Sequence, residues 1–167
     1  MKATEIIAKR RSIRKFTEQS LSEKEINTLI QAGMNAPSAR NTQPWHFMVL
    51  KNKDTIKKIV EICPNGSMLK GADTALLVLG DMNDTDDYFI IDCAAAVQNI
   101  LLAAADEEIG ACWIGVYPRQ PRIEGLKKLF NLPDKIFPHS LIALGKPAES
   151  KSPNSNFRKE RVHYEKW

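Results

Sequence analysis

The segment TALLVLG, Thr74–Gly80, is a continuous apolar run closed by a glycine. A short run of this kind, with turn residues after it, reads as a buried strand. Downstream, 87–108 reads as the longest helix, and its middle, DCAAAVQNILLAAAD, is rich in alanine. Small side chains let a second helix come close, so this segment is expected to be a central helix or part of a subunit interface. WHFMVL, Trp45–Leu50, is a second strand; ACWIGV is a short strand or turn; HSLIALG, His139–Gly145, is the last strand. Helices are predicted over 3–10, from Ser22 to the break at Pro37, over 54–62, and over 123–130 behind Pro121. Ser22 and Glu25 form an S-x-x-E capping box, and Ile26, Leu29, Ile30 and Gly33 follow it at helical spacing. Helices and strands alternate without regular parallel crossovers. The expected class is therefore α+β, an antiparallel or mixed sheet covered by helices.

With 167 residues, 43% hydrophobic and 26% charged, the chain suits one globular domain, 1–167. A net charge of +4 favours anionic, phosphate-bearing ligands. Acids and bases are interspersed after residue 17, which argues against a nucleic-acid-binding module. No apolar signal run opens the chain, and no uncharged stretch reaches membrane-span length, so a cytoplasmic protein is expected. Cys63, Cys93 and Cys112 are widely spaced and odd in number, which excludes a disulfide framework and a zinc motif. His46, His139 and His163 lack metal spacing. Asp84, Asp86 and Asp87 lack the glycine and terminal glutamate of a calcium loop and read as a solvated helix start. The last stretch, about 146–167, is polar and basic and ends in HYEKW. It cannot bury Tyr164 and Trp167 against itself, so it is expected to pack on a second subunit as an exchanged arm.

Three segments carry candidate chemistry. KRRSIRKF, Lys9–Phe16, holds five cations and no acid. Arginine offers a planar fork of donors suited to phosphate, and Ser12 adds a hydroxyl. If the first helix ends at Arg10, alternation in extended chain puts Arg10, Ser12 and Arg14 on one side and Arg11 and Ile13 on the other. NAPSARNTQPW, Asn35–Trp45, is a loop stiffened by Pro37 and Pro44, with Ser38, Asn41, Thr42 and Gln43 offering groups that donate and accept, which suits the edge of a heterocycle. In CWIGVYP, Cys112–Pro118, Gly115 permits close approach of backbone to a flat ligand.

Taken in order, RRSIRKF, APSARNTQPW, the alanine-rich helix, WIG, GKP and VHYEKW resemble the nitroreductase family of FMN-dependent oxidoreductases, over essentially the whole chain. The resemblance implies the nitroreductase-like α+β fold and a homodimer with FMN at the interface. Carried over by position, it assigns Arg10 and Ser12, with Arg11 in the same stretch, to the FMN phosphate and ribityl chain, and Arg14 to the pyrimidine edge. Pro37, Ser38, Ala39, Asn41 and Gln43 would come from the other subunit or line the ring. Ile114 and Gly115 would pass the ring, and Arg158, with Lys146, would close on the phosphate; Arg161 is an alternative to Arg158. NADH or NADPH would be the co-substrate, with hydride passing through FMN to a nitroaromatic, quinone or similar acceptor by a ping-pong mechanism, and no protein nucleophile or acid–base pair would be needed. The segment after Asp81 is short where larger relatives carry a lid, which implies an open site. Alternatives within the resemblance are a flavin-binding protein without turnover and a related flavin reaction such as reductive dehalogenation.

Overall fold

The structure is a computed structural model that describes residues 2–82 and 88–167. The sheet is antiparallel throughout, in the order β1–β2–β4–β3, with β1 at Trp45–Leu50, β2 at Thr74–Asp81, β3 at Gly110–Gly115 and β4 at Ile136–Gly145. The apolar run TALLVLG lies at its centre, as β2. Successive side chains of a strand point to opposite faces. Leu76 and Val78 enter a core shared with α2 (Glu23–Met34) and α4 (Tyr88–Asp106); Ala75, Leu77 and Leu79 enter a second core shared with α3 (Lys53–Ile62) and α5 (Gln120–Phe130). Helices cover both faces. That is why Ala75–Leu79 of β2 is a continuous apolar run instead of alternating, a pattern more usual in parallel sheets.

The predicted capping box opens α2. The Ser22 hydroxyl accepts the Glu25 amide at 3.2 Å, and the Glu25 carboxylate accepts the Ser22 amide at 2.8 Å. Gly33 then lets α2 lie hard against α4, since a Cβ there would stand 2.9 Å from the Ile100 side chain. By length and composition α4 could cross a membrane, with a mean hydropathy of 1.6. In this fold Ala96, Val97, Ile100 and Ala104 are instead fully covered by the sheet and α2.

Several boundaries differ from expectation, each for a local reason. Helix α4 ends at Asp106, before the predicted Glu108, because Glu108 adopts φ 55° and Ile109 turns inward to donate to Ala104 O at 2.8 Å. Its predicted start at Asp87, and the reading of Asp84, Asp86 and Asp87 as a solvated helix start, fall outside the described residues. Helix α5 begins earlier than predicted, at Gln120, since Pro121 in the first turn needs no amide partner. Strand β4 begins earlier, at Ile136, and keeps pairing with β2 across a register shift at Val78–Leu79.

The tail divides in two. The amides of Ala148 and Asn154 bond Lys15 and Ala8 carbonyls, each at 2.9 Å, so residues 146–154 run beside the chain's own N-terminal segment. From residue 155 onward every residue is exposed, and Phe157, Tyr164 and Trp167 stand clear of the body. The segment that leaves the body therefore begins about nine residues later than the sequence suggested, by the pairing just described.

Two buried or half-buried titrating groups set the response to acid. Burial holds His139 down at about 4, against an ordinary 6.5. The Lys146 ammonium, 2.5 Å away, and Ser22 hold Glu25 down at about 2, against an ordinary 4.5. In both cases the unfolded chain binds a proton before the folded one, so stability falls as pH falls. His139 acts between 6.5 and about 4 and is worth roughly 3 kcal/mol; Glu25 acts between 4.5 and about 2. Urea unfolding at a series of pH values is expected to show a slope in the upper window that His139→Gln removes, leaving the slope in the lower window to Glu25 with the other carboxylates held low, Asp54, Asp73 and Glu149.

Candidate functional site

After α1 (Ala3–Lys9) the chain leaves helical geometry at Arg10, with φ −58° and ψ 122°. It then runs extended along the free edge of β3. Ser12 pairs with Ala111 in a parallel bridge, and the Ile13 amide donates to Ala111 O at 2.9 Å. This brings the basic stretch beside CWIG. The Ser12 side chain and Arg14 both reach Cys112, whose thiol burial pushes up against the opposing pull of Arg14.

Arg14 lines a cavity of about 240 Å³ with Asn65, Met68, Cys112, Trp113, Ile114, Gly115, Arg119 and Arg122. Three guanidiniums converge there and no acid lines the wall. Among the described residues none of the three is in an ion pair. Arg122, only 9% exposed, donates to Gly115 O at 2.6 Å. A Cβ on Gly115 would meet only Tyr117 O at 3.6 Å and the Arg119 guanidinium at 3.8 Å, which is ordinary contact. Nothing inside the chain requires glycine at 115. Its bare backbone faces a cavity that suits a flat ligand with an electron-rich edge.

The loop 37–43 stands elsewhere. It leads into β1, at the opposite edge of the sheet from Ser12 and Arg14, so on the order of 20 Å of sheet separates the two. Arg40, Asn41 and Gln43 all have positive φ, 52°, 57° and 48°. Non-glycine residues in this region are uncommon and strained, and they cluster at ligand sites. The loop is held by Gln43 N on Ser38 Oγ at 2.9 Å, Gln43 Nε2 on Asn41 Oδ1 at 3.1 Å, and Ala39 N on Asp92 Oδ1 at 3.1 Å. Asp92 is 4% exposed, and its Oδ2 has no hydrogen-bond partner. Beside it, burial and then the Asp92 charge push the Cys93 thiol up to about 12.

The remaining candidates scatter. Arg11 points away from Arg14, as alternation predicts. It bonds Ser152 O and lines a separate cavity of about 390 Å³ with Lys9 and Lys151. Arg10 is half-buried. Arg158 and Arg161 lie together on the exposed arm, lining one shallow pocket with Asn156 and Phe157. The Lys146 ammonium is paired with the Glu25 carboxylate. Sequence reasoning missed Arg119, Arg122 and Asp92. The arginines carried a signal. They flank Pro121 at the start of a helix, where cations oppose the dipole, so something other than helix stability places them there. Asp92 carried none, since an aspartate within an alanine-rich helix does not announce its burial. Among the described residues no group of three His, Cys, Asp or Glu is placed to hold a metal ion.

The nitroreductase family model matches residues 7–66 and 63–146. The chain belongs to the nitroreductase family. A family relative from Methanothermobacter thermautotrophicus, provisionally named an NADH dehydrogenase/NAD(P)H nitroreductase, is 41% identical over 100% of this chain and 88% of its own length. A crystal structure from Parabacteroides distasonis, provisionally named in the same way, superposes with a TM-score of 0.96 at 35% identity, covering 100% of this chain and 99% of the other. A provisionally named nitroreductase from Desulfovibrio desulfuricans, solved in complex with FMN, superposes with a TM-score of 0.85 at 28% identity, covering 100% and 98%. The expected nitroreductase-like α+β fold is thus the observed one. The segments RRSIR and PSARNTQP lie at opposite edges of the sheet.

Asp92 supports the strained loop through a single buried hydrogen bond. Asp92→Ala leaves the Ala39 amide without that acceptor and is expected to lower unfolding free energy by about 1–3 kcal/mol. Asp92→Asn keeps an acceptor and is expected to restore most of the loss, as read by urea unfolding.

Proposed function

We propose that this chain is an NAD(P)H-dependent FMN oxidoreductase that works as a homodimer with FMN between subunits. The observation that carries the reading is the acid-free cavity in which Arg14, Arg119 and Arg122 surround the bare Gly115 backbone. The division of the signature residues between opposite sheet edges supports the dimer. One chain cannot close both segments on one ligand, whereas a second copy can present its loop 37–43 to the first copy's cavity.

When bound, FMN supplies the chemistry, accepting a hydride from NAD(P)H and passing it to an electron-poor acceptor such as a nitroaromatic or quinone in two half-reactions. The chain holds and tunes it. Arg10 and Ser12 hold the phosphate and ribityl chain, while Arg11, turned to the other side, is taken up by Ser152 O. Arg14 faces the pyrimidine edge. Ile114 and Gly115 pass the ring and direct a backbone amide toward its N5 region. Pro37, Ser38, Ala39, Asn41 and Gln43 of the second copy line the ring, in a conformation that Asp92 supports. The exposed arm brings Arg158, with Arg161 as the alternative, to the phosphate, and its aromatic residues find cover on the partner. Three free, buried cysteines suit a reducing cytoplasm.

The purified dimer is expected to be yellow, or to take up FMN when apo, and to bleach on NADH or NADPH under argon. A colourless protein that takes up no FMN overturns the reading. Arg10→Ala removes a charge-assisted contact of about 1.5–3 kcal/mol and is expected to weaken FMN binding accordingly. Arg14→Ala is expected to lower the flavin midpoint potential more than it weakens binding. Titration of apo-protein and dye-equilibrated potentiometry separate the two effects; identical changes in both variants would refute this division of roles.

A further inference from the structure

Two of the three guanidiniums at the cavity have no task in the reading above. Arg122 is the more demanding. A cation removed from water is costly unless a counter-charge or several hydrogen bonds replace the lost hydration. Arg122 is 9% exposed, and its one hydrogen bond goes to a neutral carbonyl, Gly115 O, at 2.6 Å. It sits in the first turn of α5, where the helix dipole adds to the positive potential instead of relieving it. Arg119, at the N-cap of the same helix, is exposed at the cavity wall and likewise has no acid partner among the described residues. The chain thus maintains positive charge behind Gly115 against three opposing effects: burial, helix dipole and mutual repulsion with Arg14.

We infer that Arg122 is a positioning residue for the Gly115 peptide, and that Arg122 and Arg119 together supply counter-charge that bound FMN meets chiefly in its reduced form. The inference rests on the flavin reading above and extends it to residues outside the recognisable signature. Its chemistry is balanced. A hydride carries two electrons and one proton onto a neutral ring and leaves the ring as an anion, with no second proton taken up. The guanidiniums interact weakly with the neutral ring and strongly with the anion. Reduced FMN is therefore bound more tightly than oxidised FMN, and by the thermodynamic cycle the midpoint potential rises. Arg14 is exposed and screened by water, whereas Arg122 acts from a low-dielectric position. The buried residue is the stronger lever. By fixing the Gly115 carbonyl, Arg122 also fixes the orientation of the strand backbone past which the ring lies.

The test is potentiometry of the FMN-loaded dimer for wild type, Arg119→Gln, Arg122→Gln and Arg122→Lys, with FMN affinity measured separately by titration of apo-protein. Arg122→Gln is expected to lose reduced-flavin affinity at least tenfold more than oxidised-flavin affinity, a fall in potential of about 30 mV for a two-electron couple, and Arg119→Gln, at an exposed and screened position, to shift the potential in the same direction by less. Arg122→Lys is expected to recover potential, because it restores charge. It is also expected to leave the visible circular dichroism of bound FMN altered, because a lysine cannot hold Gly115 O in the same geometry. A purely structural role would weaken both redox states alike and leave the potential in place; that result overturns the inference. Where Arg122→Gln does not fold, the exposed Arg119→Gln carries the same test. A wild-type protein that takes up no FMN overturns the flavin reading and this inference together, whereas bound FMN with unchanged potentials overturns the inference alone.

Discussion

The pairing of Ser12 with Ala111 on the outer edge of β3 is the constraint on which the site depends. The Ile13 amide on the Ala111 carbonyl joins positions almost a hundred residues apart at 2.9 Å and converts a flexible basic stretch into an added edge strand. Alternation then follows from backbone geometry. Ser12 and Arg14 turn toward Cys112 and Gly115, and Arg11 turns toward Lys9 and Lys151. The position of that edge is fixed in turn by β2 and β4, whose residues Leu76, Leu77, Leu141 and Ile142 are wholly buried and leave the sheet no freedom to slide.

Much of the architecture was legible because its signals are local. The capping box at Ser22 and Glu25, the apolar run of β2 and the strand WHFMVL each depend on near neighbours in sequence, and each appears where predicted. What escaped depends on distant partners. The extension of β4 back to Ile136 comes from a register shift against β2. The burial of Asp92 comes from a loop more than fifty residues away. The tail was read as one arm because its composition is uniform, yet residues 146–154 find backbone partners on residues 8–17 and the rest do not. Lys146 looked like a phosphate ligand by its place in the GKP signature. Its real neighbour, Glu25, lies in the cap of another helix.

The site itself divides along the same line. Arg14, Ile114 and Gly115 were legible and are brought together. The loop 37–43 was equally legible as a segment but sits at the far edge of the sheet, because its direct continuation into β1 leaves it no other place. Its three positive-φ residues show that the strain is local and is supported by the Asp92 carboxylate. Arg119 and Arg122 complete the cavity from α5, an element whose sequence carried no recognisable cofactor motif.

The sulfur atoms have a consequence of their own. Cys63, Cys93 and Cys112 are all buried, and burial raises the proton affinity of each. Reactivity toward oxidants and electrophiles belongs to the thiolate. An arginine beside a thiol favours its ionisation, yet burial raises the proton affinity of Cys112 against the pull of Arg14. The core that holds the sheet together thus also holds all three sulfurs toward the unreactive thiol form.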